Sequence, residues 1–154
     1  MDDYEIARSY LEQHYFGAKL QPVYYEELID IFPQCLYNGE GYRILFVDDF
    51  NEYQDLKKYS FFSQDLEGIK TFINHRLEDS DGPILKTKKI ILLKAHIEGL
   101  DLKKCIQVLV KKQYYPQNAT HKWNENEVVA IQISQIEIIQ KCINIDDLKI
   151  YISF

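Results

Sequence analysis

Three features of the sequence predict an α+β fold, built as a single domain over residues 1–154. Apolar residues at helical spacing dominate the first part of the chain, whereas strand-forming residues dominate the remainder, with helical segments between them. Strands and helices do not alternate regularly, so a doubly wound parallel sheet is not expected. Apolar residues make up 46% of the 154 residues, which is enough to build a core and excludes a disordered chain.

The first 36 residues are expected to form a helical preface of two helices. Asp2 or Asp3 can cap the first helix, and Gly17 ends it. Pro22 begins the second helix, because proline suits the first helical position, and Pro33 stops it. Both helices therefore have predicted boundaries at each end.

The predicted core, residues 37–154, begins with a glycine-containing turn at 38–41. Strands are expected at 42–47, 59–63, around 90–93 and at 127–133, with shorter strand-like pieces at 136–139 and 148–152. Residues 48–55 and 80–83 are predicted to be loops because of their polar, glycine and proline content. Ser63 or Asp65 can cap a helix that carries apolar residues on one face, and Asp101 can cap another.

The overall charge and the cysteine pattern exclude several classes of protein. A net charge of −6 disfavours a nucleic-acid partner, which requires a basic face, and the paired lysines are interpreted as solvated surface. No apolar run approaches the ~20 residues that span a bilayer, and the acidic start does not resemble a signal peptide, so a cytoplasmic protein is expected. Cys35, Cys105 and Cys142 are predicted to be buried free thiols, without a disulfide or a metal. The four scattered histidines are interpreted as ordinary core or surface residues, and nothing indicates an oligomeric state.

Three short motifs carry the candidate chemistry. Arg43 stands in the apolar run 42–47, where it must face solvent, a carboxylate or an anionic ligand, because burying it unpaired is costly. A hydroxyl-bearing strand at 59–63 continues directly into a helix, and its simpler interpretation is a helix cap with core phenylalanines. Glu125 and Glu127 stand two residues apart, which places both on one face if the chain is extended there, or leaves them as solvated charge at a strand entrance.

In this order, the three motifs resemble the Arg–Ser–Glu class of ADP-ribosyltransferases. Glu125-Asn126-Glu127-Val128-Val129 resembles the Glu-x-Glu pair of that family, and residues 59–72 resemble its Ser-Thr-Ser strand and the helix that follows. The resemblance covers residues 37–140. Ile44 stands where the family usually has glycine. The serine element reads Ser60-Phe61-Phe62-Ser63, so either Ser60 or Ser63 can match the first serine of the family.

The resemblance implies an ADP-ribosyltransferase-like split β-sheet that binds NAD as a substrate, with no metal. In such a site, Arg43 would bind the pyrophosphate, since a guanidinium fork matches phosphate oxygens. The backbone of Ile44 would meet the nicotinamide amide, and Phe62, or else Phe61, would pack against the nicotinamide ring. Ser60 or Ser63 would complete the NAD-binding set.

The two glutamates are the implied catalytic residues. Glu127 would stabilise the positive charge that develops on the ribose as the glycosidic bond of NAD breaks, with Ser60 or Ser63 holding its carboxylate. Glu125 would orient or deprotonate the acceptor. Glutamate at this place in the family goes with arginine acceptors, so the implied reaction is mono-ADP-ribosylation of an arginine on a protein. The implied role is that of a phage or toxin-like effector.

Three alternatives stay open at the level of sequence. One is a catalytically degenerate relative that binds and inhibits a protein partner, because a chain with 12 tyrosines is well suited to protein recognition. The second is an NAD glycohydrolase, in which water is the acceptor, and the third is an unrelated α+β domain. The transferase hypothesis requires Arg43, one of the two serines and Glu127 to meet in one cleft.

Overall fold

The computed structural model describes residues 2–15, 20–53, 56–116 and 124–153. Within these residues it contains six helices and four strands, which confirms the α+β prediction. The helices are α1 (Asp3–Tyr15), α2 (Pro22–Ile31), α3 (Leu66–Glu78), α4 (Gly82–Leu85), α5 (Leu102–Lys111) and α6 (Ile145–Tyr151). The strands are β1 (Leu36–Val47), β2 (Phe61–Ser63), β3 (Lys89–Asp101) and β4 (Glu127–Cys142). Single 3₁₀ turns occur at Pro33–Cys35 and Phe50–Glu52.

The four strands form one antiparallel sheet in the order β1-β2-β4-β3, which closes because β3 also pairs with β1. The β1–β3 and β3–β4 pairings run along nearly the whole length of these long strands. The short strand β2 instead bridges the middle of β1, at Tyr42, and the first residues of β4. This topology places Arg43 of β1, the serine-bearing strand β2 and Glu127 of β4 in neighbouring positions.

Aspartates cap the helices that flank this region, as the sequence predicted. Asp2 Oδ1 accepts from the Glu5 backbone N–H at 2.9 Å, and Asp65 Oδ1 accepts from the Gly68 N–H at 2.8 Å. Asp101, which is itself buried, caps α5 in the same way. Each cap satisfies a backbone donor that the first turn of a helix leaves without a partner. Because Asp65 caps α3, Ser63 is not used as a cap.

The apolar core contains two large clusters that pack the helices against the sheet. One cluster packs α1, α2 and α5 against the end of β3 and contains Leu11, Leu28 and Ile106. A second packs α3 and α6 against β1 and β3 and contains Ile73, Ile90 and Leu148. The helical preface is therefore packed on the sheet through a shared apolar core, which burial of this kind stabilises.

Several local predictions were wrong. Residues 148–152, predicted as strand, form the end of α6 and its C-cap, Ile152; Ile145, Leu148 and Ile152 are buried at helical spacing, and Asn144 caps the first turn. Residues 38–41, predicted as a turn, lie within β1 and pair with β3. The predicted loop at 80–83 contains the start of the short helix α4. Isoleucine and leucine occur in both helices and strands, and at residues 148–152 the Asn144 cap favours the helix.

Other predictions of the sequence have mixed outcomes. Cys35, Cys105 and Cys142 are buried and free, as predicted. The piece at 136–139 is continuous with β4 and is not a separate strand. In the part of the chain that the structure describes, no helix is long and apolar enough to cross a membrane. Gly17, the predicted end of α1, lies outside the described residues.

Candidate functional site

Arg43 is half-buried, and little in the structure neutralises its charge. Its Nη1 donates to the Phe61 carbonyl oxygen at 2.7 Å, whereas its Nε is buried without a hydrogen-bond partner. Among the described residues, no carboxylate forms an ion pair with it. Burial lowers the pKa of Arg43, and the negative charge of Glu127 acts in the opposite direction. Because its Nε is buried without a partner, the Arg43 guanidinium can still bind an anion.

Ser63 stands directly across from Glu127, where β2 pairs with β4. The Ala130 backbone N–H donates to the Ser60 carbonyl and the Gln64 N–H donates to the Asn126 carbonyl. Hydrogen-bonded and non-bonded pairs alternate along an antiparallel ladder, so Ser63 and Glu127 form a non-bonded pair, in which side chains approach most closely. The strand register therefore brings the Ser63 hydroxyl and the Glu127 carboxylate to the same face.

Ser60 is placed differently. Its hydroxyl donates to the Lys57 carbonyl at 2.6 Å, and it lines neither of the cavities described below. Ser63 is only 6% exposed and lines the smaller cavity. Of the two serines that the sequence left open, Ser63 is the one that the structure brings to Arg43 and Glu127.

The two glutamates share a face for a reason other than strand periodicity. Asn126, between them, has a left-handed backbone (φ 51°), a conformation that asparagine adopts more readily than most residues. Its Nδ2 donates to both carboxylate oxygens of Asp65 at 3.2 and 3.1 Å. The segment that carries Glu125 and Glu127 is therefore docked on the first turn of α3, through the same aspartate that caps that helix.

A cavity of about 190 Å³ lies between β1, β2 and α3. It is lined by residues that include Arg43, Ile44, Phe62, Ser63, Glu125 and Glu127. Six of the seven residues that the sequence singled out, all but Ser60, thus surround one space. Ile44 and Phe62 are both buried, and Phe62 also belongs to an apolar cluster with residues of β3 and β4.

A larger cavity, of about 770 Å³, adjoins the first and shares four of its lining residues: Phe61, Phe72, Glu125 and Glu127. Volumes of this size are typical of small-molecule and cofactor sites. Four carboxylates line the larger cavity (Glu78, Asp79, Glu125 and Glu127), against two fixed cations, Arg76 and Lys103. The glutamate pair therefore stands where a small, partly apolar space opens into a larger acidic one.

Glu125 is the carboxyl group that the site perturbs most clearly. Burial raises its pKa, and the charge of Glu127 raises it further, while His75 acts in the opposite direction. His75 Nδ1 lies 3.5 Å from Glu125 Oε2. A carboxylate with a raised pKa holds a proton more readily and is a stronger base near neutral pH. Glu125 therefore has the properties of a general base at the junction of the two cavities.

Glu127 is held by a histidine from the helical preface. His14 Nε2 lies 2.9 Å from Glu127 Oε1, and His14 Nδ1 lies 3.0 Å from the Tyr25 hydroxyl. The imidazole ring also packs edge-on against Phe61, with 4.7 Å between ring centroids. Helices α1 and α2 thus supply a continuous polar contact to the carboxylate on β4.

The sequence did not single out several of these residues. His14 and His75 had been interpreted as ordinary histidines, yet both line the larger cavity and both contact a glutamate of the pair. Phe72 was not singled out either; both cavities share this ring and that of Phe61, which the sequence offered as the alternative to Phe62. His14 had one available signal, since it follows Ala7 and Leu11 on the buried face of α1, where a polar side chain needs a partner.

Metal binding finds no support among the described residues, which contain no group of three or more histidine, cysteine or acidic side chains that could hold an ion. Comparisons of the chain with protein-family models, with curated proteins and with solved structures find no match. The functional argument therefore depends on the geometry of the site and on the chemistry of its side chains.

Proposed function

We propose that this protein is a mono-ADP-ribosyltransferase that moves ADP-ribose from NAD to an arginine side chain of a protein in the cytoplasm. The observation that carries the proposal is the meeting of Arg43, Ser63, Glu125 and Glu127 around one cavity, in the roles that the sequence resemblance implies. A four-stranded antiparallel sheet preceded by two helices is compatible with the ADP-ribosyltransferase fold. The cavity brings together a half-buried arginine, a serine opposite a glutamate, and a second glutamate. Such a set is uncommon in a purely structural cavity.

The unused donor of Arg43 supports NAD as the substrate. Its Nε is buried without a partner, which costs free energy unless a ligand satisfies it. The pyrophosphate of NAD supplies anionic oxygens that a guanidinium binds in a forked geometry. Phe61, Phe72 and Ile44 offer apolar surface for the nicotinamide ring in the smaller cavity, which Arg43 also lines.

Glu127 acts on the bond that breaks. The electron pair of the N-glycosidic bond leaves with nicotinamide, and positive charge develops on the ribose. A carboxylate that is already fixed beside this carbon stabilises the charge without having to reorient, and such preorganised groups provide a large part of many rate enhancements. Ser63 stands across the ladder from Glu127 and supports its position.

Glu125 acts on the acceptor. An arginine guanidinium must lose a proton as its nitrogen bonds to the ribose carbon, and the raised pKa of Glu125 makes it a suitable base. The larger cavity beside it is rich in carboxylates, and its Arg76 is already neutralised by Asp79 and Asp81. This acidic space favours a cationic acceptor over an anionic one.

The experiment is incubation of the protein with labelled NAD and a cell lysate. We expect label on a protein, on arginine by mass spectrometry. Glu127→Gln should lower both nicotinamide release and transfer by about 100-fold or more, the scale seen when a fixed charge-stabilising group is removed. Glu125→Gln should abolish transfer but leave nicotinamide release, because water can still capture the ribose. Glu137→Gln, an exposed glutamate farther along β4, is the matched control and should behave as wild type.

The other outcomes identify the alternatives. Free ADP-ribose from the wild type, without labelled protein, would make the chain an NAD glycohydrolase. No NAD turnover by a folded protein would overturn the enzymatic proposal, and would leave a degenerate relative that binds and inhibits a protein partner. Label on a nucleic acid would contradict the protein acceptor. If transfer occurs, the identity of the labelled protein tests whether the chain acts as a phage or toxin-like effector.

A further inference from the structure

A hydrogen-bonded chain of two buried side chains ends on Glu127, and the sequence resemblance gives no role to either of them. His14 lies on α1 and its side chain is 6% exposed, whereas Tyr25 lies on α2 and is 2% exposed. The contacts join residues 113 positions apart in the sequence, so they depend on how the preface packs on the sheet. Neither residue lines the smaller cavity that holds Arg43, although His14 lines the larger one.

The two partners of His14 determine which of its nitrogens carries the proton. An ionised carboxylate only accepts, so the Nε2 that lies 2.9 Å from Glu127 Oε1 must donate. Burial raises the pKa of Tyr25, so the phenol stays protonated and can donate to His14 Nδ1 at 3.0 Å. Nδ1 of a neutral imidazole must then accept, which places the ring proton on Nε2, where it faces Glu127 Oε1.

The packing around the imidazole restricts its rotation. Phe61 contacts it edge-on at 4.7 Å between centroids, and Tyr25 contacts it at 6.0 Å with the ring planes 82° apart. Glu127, by contrast, begins its strand directly after the left-handed Asn126 and has a partly exposed side chain. A glutamate has three side-chain torsions, so a fixed donor at one carboxylate oxygen removes much of its freedom.

We propose that His14 is a positioning residue for Glu127, which it holds through its Nε2–H while the Tyr25 hydroxyl holds the other ring nitrogen. The proposal rests on the proposed function for its catalytic consequence, but the hydrogen-bonded chain can be measured without any activity. It gives the helical preface a part in the site: α1 and α2 set the orientation of the carboxylate that faces the breaking bond. It also leaves the second oxygen of Glu127 for the substrate.

The kinetic test uses three variants and one matched control. His14→Leu removes both hydrogen bonds, His14→Gln keeps a donor near the Nε2 position, and Tyr25→Phe removes only the hydroxyl. Tyr10→Phe is the control, because the Tyr10 hydroxyl donates to Glu27 at 2.7 Å across the same pair of helices but away from the site. Thermal unfolding of each variant corrects the rates for the folded fraction.

We expect His14→Leu to lower kcat about 10- to 100-fold, the effect of losing a hydrogen bond to a charged group, with the KM for NAD changed less than about threefold. His14→Gln should recover most of the loss, Tyr25→Phe should lower kcat by less than His14→Leu, and Tyr10→Phe should leave it unchanged. An unaltered kcat in His14→Leu would overturn the proposal. Equal losses in Tyr25→Phe and Tyr10→Phe would do the same, because helix docking alone would then explain them.

A spectroscopic measurement separates this inference from the proposed function. In ¹⁵N-labelled wild type, the ring nitrogens of His14 should show one neutral tautomer with the proton on Nε2. Glu127→Gln, whose amide can donate as well as accept, should allow the second tautomer to appear. A wild-type ring protonated on Nδ1 contradicts the inference, whatever the activity. If the wild type fails to turn over NAD while the Nε2–H tautomer is present, the proposed function fails and the positioning of Glu127 stands.

Discussion

Replacement of Arg43 by methionine tests whether this arginine binds a ligand or stabilises the fold. The side chain has one hydrogen bond, to the Phe61 carbonyl, and a buried Nε without a partner. Methionine retains the length and much of the volume of the side chain while it removes the charge and all the donors. The same change should therefore weaken NAD binding while it leaves stability nearly unchanged.

The structure allows the effect on stability to be estimated. Removing the unsatisfied Nε relieves a penalty of about 1–3 kcal/mol, and leaving the Phe61 carbonyl without its donor costs a similar amount. The two effects offset each other, so the free energy of unfolding should change by no more than about 1 kcal/mol. For a chain of 154 residues this moves Tm by roughly 3 °C. Loss of one partner of a well-paired buried ion pair would instead cost about 3–5 kcal/mol.

Thermal unfolding and calorimetric titration with NAD, at fixed pH and salt, measure the two effects. We expect Arg43→Met to unfold within a few degrees of wild type and to bind NAD at least tenfold more weakly, because a charge-assisted contact to phosphate is lost. Arg8→Met is the control, since Arg8 is half-exposed on α1 and lines neither cavity. A fall in Tm of about 10 °C would show that Arg43 is structural, and unchanged NAD affinity would refute its role in binding.

Three further predictions concern the position and the charge of the glutamate pair. A Cβ at Gly68 would lie 2.2 Å from the Glu125 carbonyl oxygen, so Gly68→Ala should displace that segment and lower transfer more than tenfold per folded molecule. Gly82→Ala meets an equally close carbonyl within α3, at 2.1 Å, and should destabilise the protein without this loss; equal activity of the two variants would contradict the argument. Because the folded-state pKa of Glu125 is raised, its ionisation destabilises the native state as pH rises through the folded pKa, and this penalty is absent below the unfolded value. Glu125→Gln should therefore raise Tm at pH 7 but not at pH 3, and a stabilisation independent of pH would show that charge is not the cause. Ser63→Ala should lower kcat while Ser60→Ala leaves it unchanged, and the reverse result would assign the serine of the site to Ser60.

The sequence predicted those site residues whose chemical requirements are set by their immediate neighbours in the chain. An arginine in an apolar run must find an anion or solvent, and a serine strand that enters a helix must present its hydroxyl somewhere. Asp65 competes with Ser63 for the first turn of α3, and the sequence alone left both possibilities open. The structure assigns the cap to Asp65, which leaves Ser63 in the cavity. The backbone geometry decides which of two nearby residues caps the helix, and residue spacing in the sequence does not predict that geometry.

The fold was predicted less well where apolar residues suit both helix and strand. Residues 145–152 contain isoleucine and leucine at spacings that fit a strand nearly as well as a helix. The Asn144 cap and the buried face of α6 decide for helix, but that face exists only because α3 and the sheet are there to cover it. Similarly, the glycines at 38–41 indicate a turn by composition, yet pairing along β3 holds them extended. In both places, tertiary contacts outweigh local preference.

His14 shows what a single sequence can and cannot reveal about this site. Its place after Ala7 and Leu11 puts it on the buried face of α1, and a buried imidazole needs hydrogen-bond partners at both nitrogens. The sequence therefore contains the requirement for two partners but not their identity, since Tyr25 and Glu127 are 11 and 113 residues away. The same packing that satisfies His14 also restrains Glu127. In the sequence the helical preface reads as separate from the core, but in the structure it is part of the site. Changes that weaken the packing of α1 on the sheet should therefore also increase the mobility of the Glu127 carboxylate.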